Sequence, residues 1–133
     1  SHATVGNDKV TSLLTDFSWI ENHFIPTVQK RGTAIIEARR GKSSAASAAN
    51  AIINHMQDWI FGTAQDNWVS MGVPSNGSYG IPSGVIFSFP VTCQNGQYKI
   101  VQGLEQSASE KEKMQKSYQE LISEQEAIKH LLK

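Results

Sequence analysis

Between Phe24 and Arg39 apolar residues recur at helical spacing: Phe24, Ile25, Val28, Ile35 and Ile36. This pattern predicts one helix over 24–39. Pro26 is tolerable only in a first turn, which sets the expected start near Asn22. Gly32 costs about 1 kcal/mol relative to alanine inside a helix, so close packing against another backbone is expected there. A second helix is predicted from the stripe Ala45, Ala48, Ala49, Ile52, Ile53, Met56, Trp59 and Ile60, with Gly62 as its stop. The pattern then changes to strands at Trp68–Val73, Val85–Cys93 and Tyr98–Gln102. Asn95-Gly96 is a hairpin signal joining the last two, and Pro74-Ser-Asn-Gly77 is a turn signal. Pro90 cannot donate to a ladder, so a bulge or an unpaired edge is expected beside it. Ser107 and Glu110 have capping-box spacing before a final narrow stripe of Met114, Tyr118, Leu121, Ile128 and Leu132. On this helix Glu112 can pair with Lys116, and Lys129 and Lys133 suit the negative end of the dipole. Residues 1–16 carry only a short apolar cluster, Val10, Leu13 and Leu14, and show the least regular pattern. The fold class expected is α+β: a three-stranded antiparallel sheet covered by long helices.

Composition narrows the possible functions. With 133 residues the chain suffices for one modest core, and its formal net charge is zero with 18% charged residues. Nothing in that balance points to nucleic acid or an acidic membrane surface, although all three arginines, Arg31, Arg39 and Arg40, share one short span. Cys93 is the only cysteine, so no internal disulfide forms, and a reducing compartment fits. No apolar run approaches a transmembrane length, and no signal peptide is recognisable. The chain begins at Ser1 rather than methionine, as expected of a processed, trimmed or excised segment.

Few residues offer chemistry. His2, His23, His55 and His130 share no metal-ligand spacing, so capping or surface roles explain them better. Ser43 and Ser44 open the second helix. Capping is the commonest role for serine there, while the bare helix start with small residues behind it also suits a polar or anionic ligand. Neither has a histidine or an acid close by, so a nucleophilic serine is not indicated. Cys93 reads as core. Gly77 and Gly80 precede no helix, so they read as a surface loop rather than a phosphate cradle. Pattern and composition yield no catalytic set.

Several short stretches, taken in order, resemble the C-terminal, substrate-binding half of malate dehydrogenases of the cytosolic type. They are Val28-Gln-Lys-Arg-Gly32, Lys42-Ser-Ser-Ala-Ala-Ser-Ala48, Trp68-Val-Ser-Met-Gly-Val73, Ser78-Tyr-Gly-Ile-Pro82, Phe87-Ser-Phe-Pro-Val91 and the closing Glu124–Leu132 region. The likeness covers about residues 17–132. It departs from the family over residues 1–16, and the break Arg39-Arg-Gly-Lys42 looks slightly longer than in relatives. The resemblance implies a domain over 17–133 that completes the substrate pocket of an enzyme whose NAD-binding Rossmann domain is absent from this chain. Hydride would pass between NAD and a 2-hydroxy acid while a histidine, oriented by an aspartate, moves the hydroxyl proton and arginines hold the carboxylates. By the same resemblance those residues lie upstream of Ser1, His2 is a bystander, and Ser43 with Ser44 lines the pocket of substrate and nicotinamide. The complete protein would then be a cytoplasmic homodimer joined through the 24–39 helix, acting on malate and oxaloacetate, and this segment alone would be inactive and bind no NAD. Lactate dehydrogenase activity on the same scaffold stays open, and so does a stand-alone binding or scaffolding module.

Overall fold

Asp16 begins the first long helical run in this computed structural model, which describes residues 2–131. Its carboxylate accepts from the amides of Ser18 at 2.9 Å and Trp19 at 3.4 Å, two donors that the helix start would otherwise leave unpaired, and from the Ser18 hydroxyl at 2.6 Å. Leu132 and Lys133, expected to end the last apolar stripe and to face its dipole, lie outside the described residues, as does Ser1. The chain divides into two compact units, Ser1–Ile53 and Asn54–Lys133.

In the first unit a small hairpin, β1 (Thr4–Val5) and β2 (Asp8–Lys9), pairs Thr4 with Lys9 and leads into α1 (Val10–Leu13). The run from Asp16 then passes through α2 (Phe17–Trp19), a wider π-helical turn at Ile20–Phe24, α3 (Ile25–Gln29) and α4 (Arg31–Ala38). The expectation of one helix starting near Asn22 is therefore corrected in two ways. The start lies at Phe17, because Asp16 caps it. Pro26 is accommodated by the π turn directly before it, in which the Ile25 amide reaches back to the Ile20 carbonyl. A proline frees a carbonyl one turn earlier, and a widened turn is a common way to absorb that. The run also breaks at Lys30, whose φ of −91° and ψ of 0° lie off the helical values. Among the described residues of its unit Gly32 meets nothing within 4 Å of where a Cβ would stand, so the close backbone packing expected of it is not seen there.

After α4 the chain makes a Schellman turn: Arg40, at φ 54°, donates to the Glu37 carbonyl at 3.0 Å, and Gly41 donates to Ile36 at 2.8 Å. Helix α5 (Ala45–Phe61) follows with the predicted limits and spans the boundary between the two units. Gly62 ends it at φ +96°, where a Cβ would stand 3.0 Å from the Cys93 carbonyl oxygen.

The second unit holds the sheet, in the order β3 (Val69–Pro74), β4 (Ile86–Gln94), β5 (Gln97–Ile100), antiparallel throughout. The Asn95-Gly96 turn sets the register, with Gln94 opposite Gln97 and both turn residues at positive φ, 53° and 73°. Met71, Val73, Phe89, Val91 and Cys93 recur at alternate positions and form the core together with Ile81 and Ile100. Thr63 extends the sheet beyond the start of β3: its amide donates to the Cys93 carbonyl at 3.0 Å, and its hydroxyl receives the Cys93 amide at 3.3 Å.

Helix α6 (Ala108–Ile128) opens with the predicted capping box, Ser107 and Glu110 each bonding the other's amide. It places Met114 and Tyr118 on the core. Lys129 pairs with Glu126 at 3.1 Å, an exposed contact of little weight. Cover from α5 is less than expected. Within this unit its end is tied down by the Trp59 indole, which donates to the Gly96 carbonyl at 2.7 Å, while Met56, Trp59 and Ile60 keep 39–51% of their surface exposed.

Candidate functional site

Ser43 and Ser44 occupy the connection between α4 and α5, directly after the Arg39-Arg-Gly-Lys42 break. Ser43 is exposed and Ser44 half-buried. The Ser44 carbonyl starts the helix, accepting from the Ala48 amide at 3.2 Å and the Ser47 hydroxyl at 3.0 Å, while the Ser43 carbonyl accepts from the Ala45 amide at 3.1 Å in a tight turn before it. The two hydroxyls thus stand at a helix start whose first turn holds only small side chains, with exposed Arg39, Arg40 and Lys42 beside them in the chain. Such a site can present hydroxyls and first-turn amides to a polar or anionic group without crowding it.

The second unit has its own polar construction around the loop from Ser75 to Pro82. Ser75 is buried; its hydroxyl donates to the Ile81 carbonyl at 2.6 Å, and its amide donates to Val85. Asn76 receives the Ser78 amide at 3.1 Å and the Ser78 hydroxyl at 2.6 Å. Tyr79 takes φ 54°, stacks on Phe89 with ring centroids 6.3 Å apart, and donates its hydroxyl to the Val101 carbonyl at 2.6 Å.

The Tyr79–Val101 bond is explained by Pro90. Val101 donates to the Pro90 carbonyl at 2.9 Å, so the two face each other as a hydrogen-bonded pair, and an ordinary residue at 90 would return a bond from its own amide. Proline has no such amide. The ladder between β4 and β5 ends one pair earlier, at Val91 and Ile100, and the vacant carbonyl is taken by Tyr79. The expected alternatives at Pro90 resolve as an unpaired edge without a bulge, since the register to β3 runs through Ser70 opposite Pro90. The loop read from sequence as surface therefore fastens the end of the sheet. Pro90 was the signal, because a missing donor in a strand requires a replacement.

An open depression of about 810 Å³ in the second unit is lined by Phe61, Trp68, Thr92, Tyr98 and Lys99 among others, and contains no residue that the sequence marked as functional. Cys93 lies at the core end of β4 with its sulfur 3.8 Å from that of Met71; burial, then the negative charge of Asp58, pushes the thiol pKa up, which suits a packing role. Asp16 is shifted the other way, chiefly by the Ser18 hydroxyl that it accepts. Among the described residues no group of three or more histidine, cysteine or acidic side chains could hold a metal ion, and no helix is long and apolar enough to cross a membrane.

The described residues combine an antiparallel three-stranded sheet with long helices, and among them no complete catalytic set is brought together. The chain's kinship is specific. The description "lactate/malate dehydrogenase, alpha/beta C-terminal domain" matches residues 1–132, and the chain belongs to that family. The match takes in residues 1–16, where the sequence showed least likeness. Among solved structures, a malate dehydrogenase from Naegleria fowleri is 50% identical, with a TM-score of 0.79 over 86% of this chain and 35% of that one. A Trichomonas vaginalis lactate dehydrogenase in complex with NADH and oxamate is 38% identical, with a TM-score of 0.82 over 93% of this chain and 38% of that one. A Plasmodium falciparum malate dehydrogenase, 19% identical with a TM-score of 0.74 over 93% of this chain and 38% of that one, shares the fold. The chain thus spans little more than a third of the length of these relatives.

Proposed function

We propose that this chain is the substrate-binding half of an NAD-dependent 2-hydroxy-acid dehydrogenase of the cytosolic malate type, converting malate and oxaloacetate. The observation that carries the choice of substrate is the 50% identity to a malate dehydrogenase, against 38% to a lactate dehydrogenase. In this reading Ser43 and Ser44 line the pocket beside substrate and nicotinamide, and the complete enzyme works in the cytoplasm as a homodimer with α3 and α4 in its interface.

The residues present fit the edge of such a pocket and not the holding of a whole dinucleotide. Small side chains at the start of α5 leave room for a planar ring or a carboxylate. Gly77, by contrast, precedes a short 3₁₀ turn that Gly80 ends, and neither opens an α-helix. NAD would supply the hydride acceptor; this half would add hydrogen bonds that orient the substrate and exclude water. The segment alone is expected to be inactive and to leave NADH unbound in a calorimetric titration.

The pocket assignment is tested on Ser43→Ala in the complete enzyme. A single neutral hydrogen bond is worth about 0.5–1.5 kcal/mol, so kcat/KM should fall about 2- to 12-fold with melting temperature unchanged. Unchanged kinetics with a lower melting temperature would assign Ser43 to helix capping alone.

A further inference from the structure

The sequence contains two Asn-Gly pairs, Asn76-Gly77 and Asn95-Gly96, and the structure treats them differently. This pair is the one most open to self-modification, because glycine puts no side chain in the way of ring closure. The glycine amide nitrogen attacks the asparagine Cγ, an N–C bond forms, the Cγ–Nδ2 bond breaks, and Nδ2 leaves as ammonia with the proton from the glycine amide. Water then opens the five-membered imide. Opening on the Cγ side gives aspartate; opening on the main-chain side gives isoaspartate, with an extra methylene in the backbone.

Both asparagines are exposed, so access of water does not separate them. Hydrogen bonding does. The Asn76 carboxamide is held by the Ser78 amide at 3.1 Å and the Ser78 hydroxyl at 2.6 Å, and the Gly77 amide donates to the buried Ser75 hydroxyl at 3.4 Å. Attack there requires rotating the carboxamide off its donors and freeing the amide that must lose its proton. Asn95 and Gly96 lie outside the closing pair of their hairpin, Gln94 and Gln97. Among the described residues the Asn95 carboxamide and the Gly96 amide have no hydrogen-bond partner.

We propose that Asn95 is a site of spontaneous succinimide formation, converting to aspartate and isoaspartate, while Asn76 is protected by its loop. Conversion adds one negative charge to a chain of zero formal net charge. In the isoaspartyl product the lengthened turn displaces the Gly96 carbonyl, the acceptor of the Trp59 indole at 2.7 Å, so modification at the hairpin loosens the anchored end of α5.

The native chain is incubated in mildly alkaline buffer and digested with chymotrypsin, whose cuts after Tyr79 and Phe87 separate the two asparagines. Peptide mass spectrometry with isoaspartyl methylation then follows each site. Asn95 is expected to convert about tenfold faster than Asn76 or more, a difference of about 1.4 kcal/mol in barrier. In urea the two rates should converge, since the local sequences are both Asn-Gly. Tryptophan emission should shift with conversion in the wild type and stay constant in Asn95→Gln. Equal native rates, faster conversion at Asn76, or a difference that persists in urea would each overturn the proposal.

Discussion

Replacing Tyr79 by phenylalanine removes one hydroxyl and keeps the ring that stacks on Phe89. What is lost is the 2.6 Å bond to the Val101 carbonyl, and no donor stands ready to replace it, because the strand residue opposite is Pro90. A hydrogen bond is worth about 0.5–1.5 kcal/mol net, and an acceptor left unpaired away from water costs about 1–3 kcal/mol. Val101 is half-buried, so the expected loss is about 1–2 kcal/mol. For a cooperative unit the size of Asn54–Lys133, each kcal/mol lowers the melting temperature by about 4–8 °C. The test is a double-mutant cycle in urea. Pro90→Ala restores a backbone amide facing the same carbonyl, so Tyr79→Phe should cost less in that background, by about 0.5 kcal/mol or more. Effects of Pro90→Ala on the unfolded chain cancel in the cycle. Equal losses in both backgrounds would show that Tyr79 does not substitute for the missing amide, and no loss at all would show that its bond carries no stability.

The other predictions concern the first unit. Gly32→Ala fills open space in a helix and should stabilise the segment by about 0.5–1 kcal/mol in urea unfolding; if α4 forms the homodimer interface of the complete enzyme, the same change should weaken association in sedimentation velocity. The folded pKa of Asp16 lies below its ordinary value, so its contribution is fully present above the unfolded pKa and is lost as pH falls through the lowered folded one. Helical circular dichroism should therefore decline on acidification below the ordinary carboxylate range, and less so in Asp16→Asn, which keeps the cap without the charge; an identical acid response in the two proteins would refute the assignment.

The sheet was readable because its signals are local and agree. Alternation at Met71–Val73 and Phe87–Cys93, together with a two-residue Asn-Gly turn, leaves one antiparallel register open. The limits of α5 and the cap of α6 were equally plain, since Gly62 and the Ser107–Glu110 pair each act within one turn. The first helical run was harder. Pro26, tolerable only in a first turn, sets the expected start near Asn22, whereas Asp16 upstream caps and a π turn absorbs the proline, a backbone adjustment with no residue signature. The Tyr79–Val101 bond joins positions 22 residues apart and is visible only once the strand containing Pro90 is paired. At the candidate site, residue type alone pointed to Ser43 and Ser44 as caps; their assignment to a pocket comes from resemblance. The expectation that long helices cover the sheet holds at Met114 and Tyr118, while within the second unit Met56 and Ile60 of α5 stay about half exposed, at 44% and 51%.

We propose that in the complete enzyme this domain completes a pocket for malate and oxaloacetate. Initial rates of NADH oxidation by the complete enzyme with oxaloacetate and with pyruvate, each over a full concentration series, decide this. The kcat/KM for oxaloacetate is expected to exceed that for pyruvate by about tenfold or more, a difference of about 1.4 kcal/mol in transition-state binding. A preference for pyruvate would move the protein to lactate chemistry, and no oxidation with either substrate would contradict the dehydrogenase reading itself.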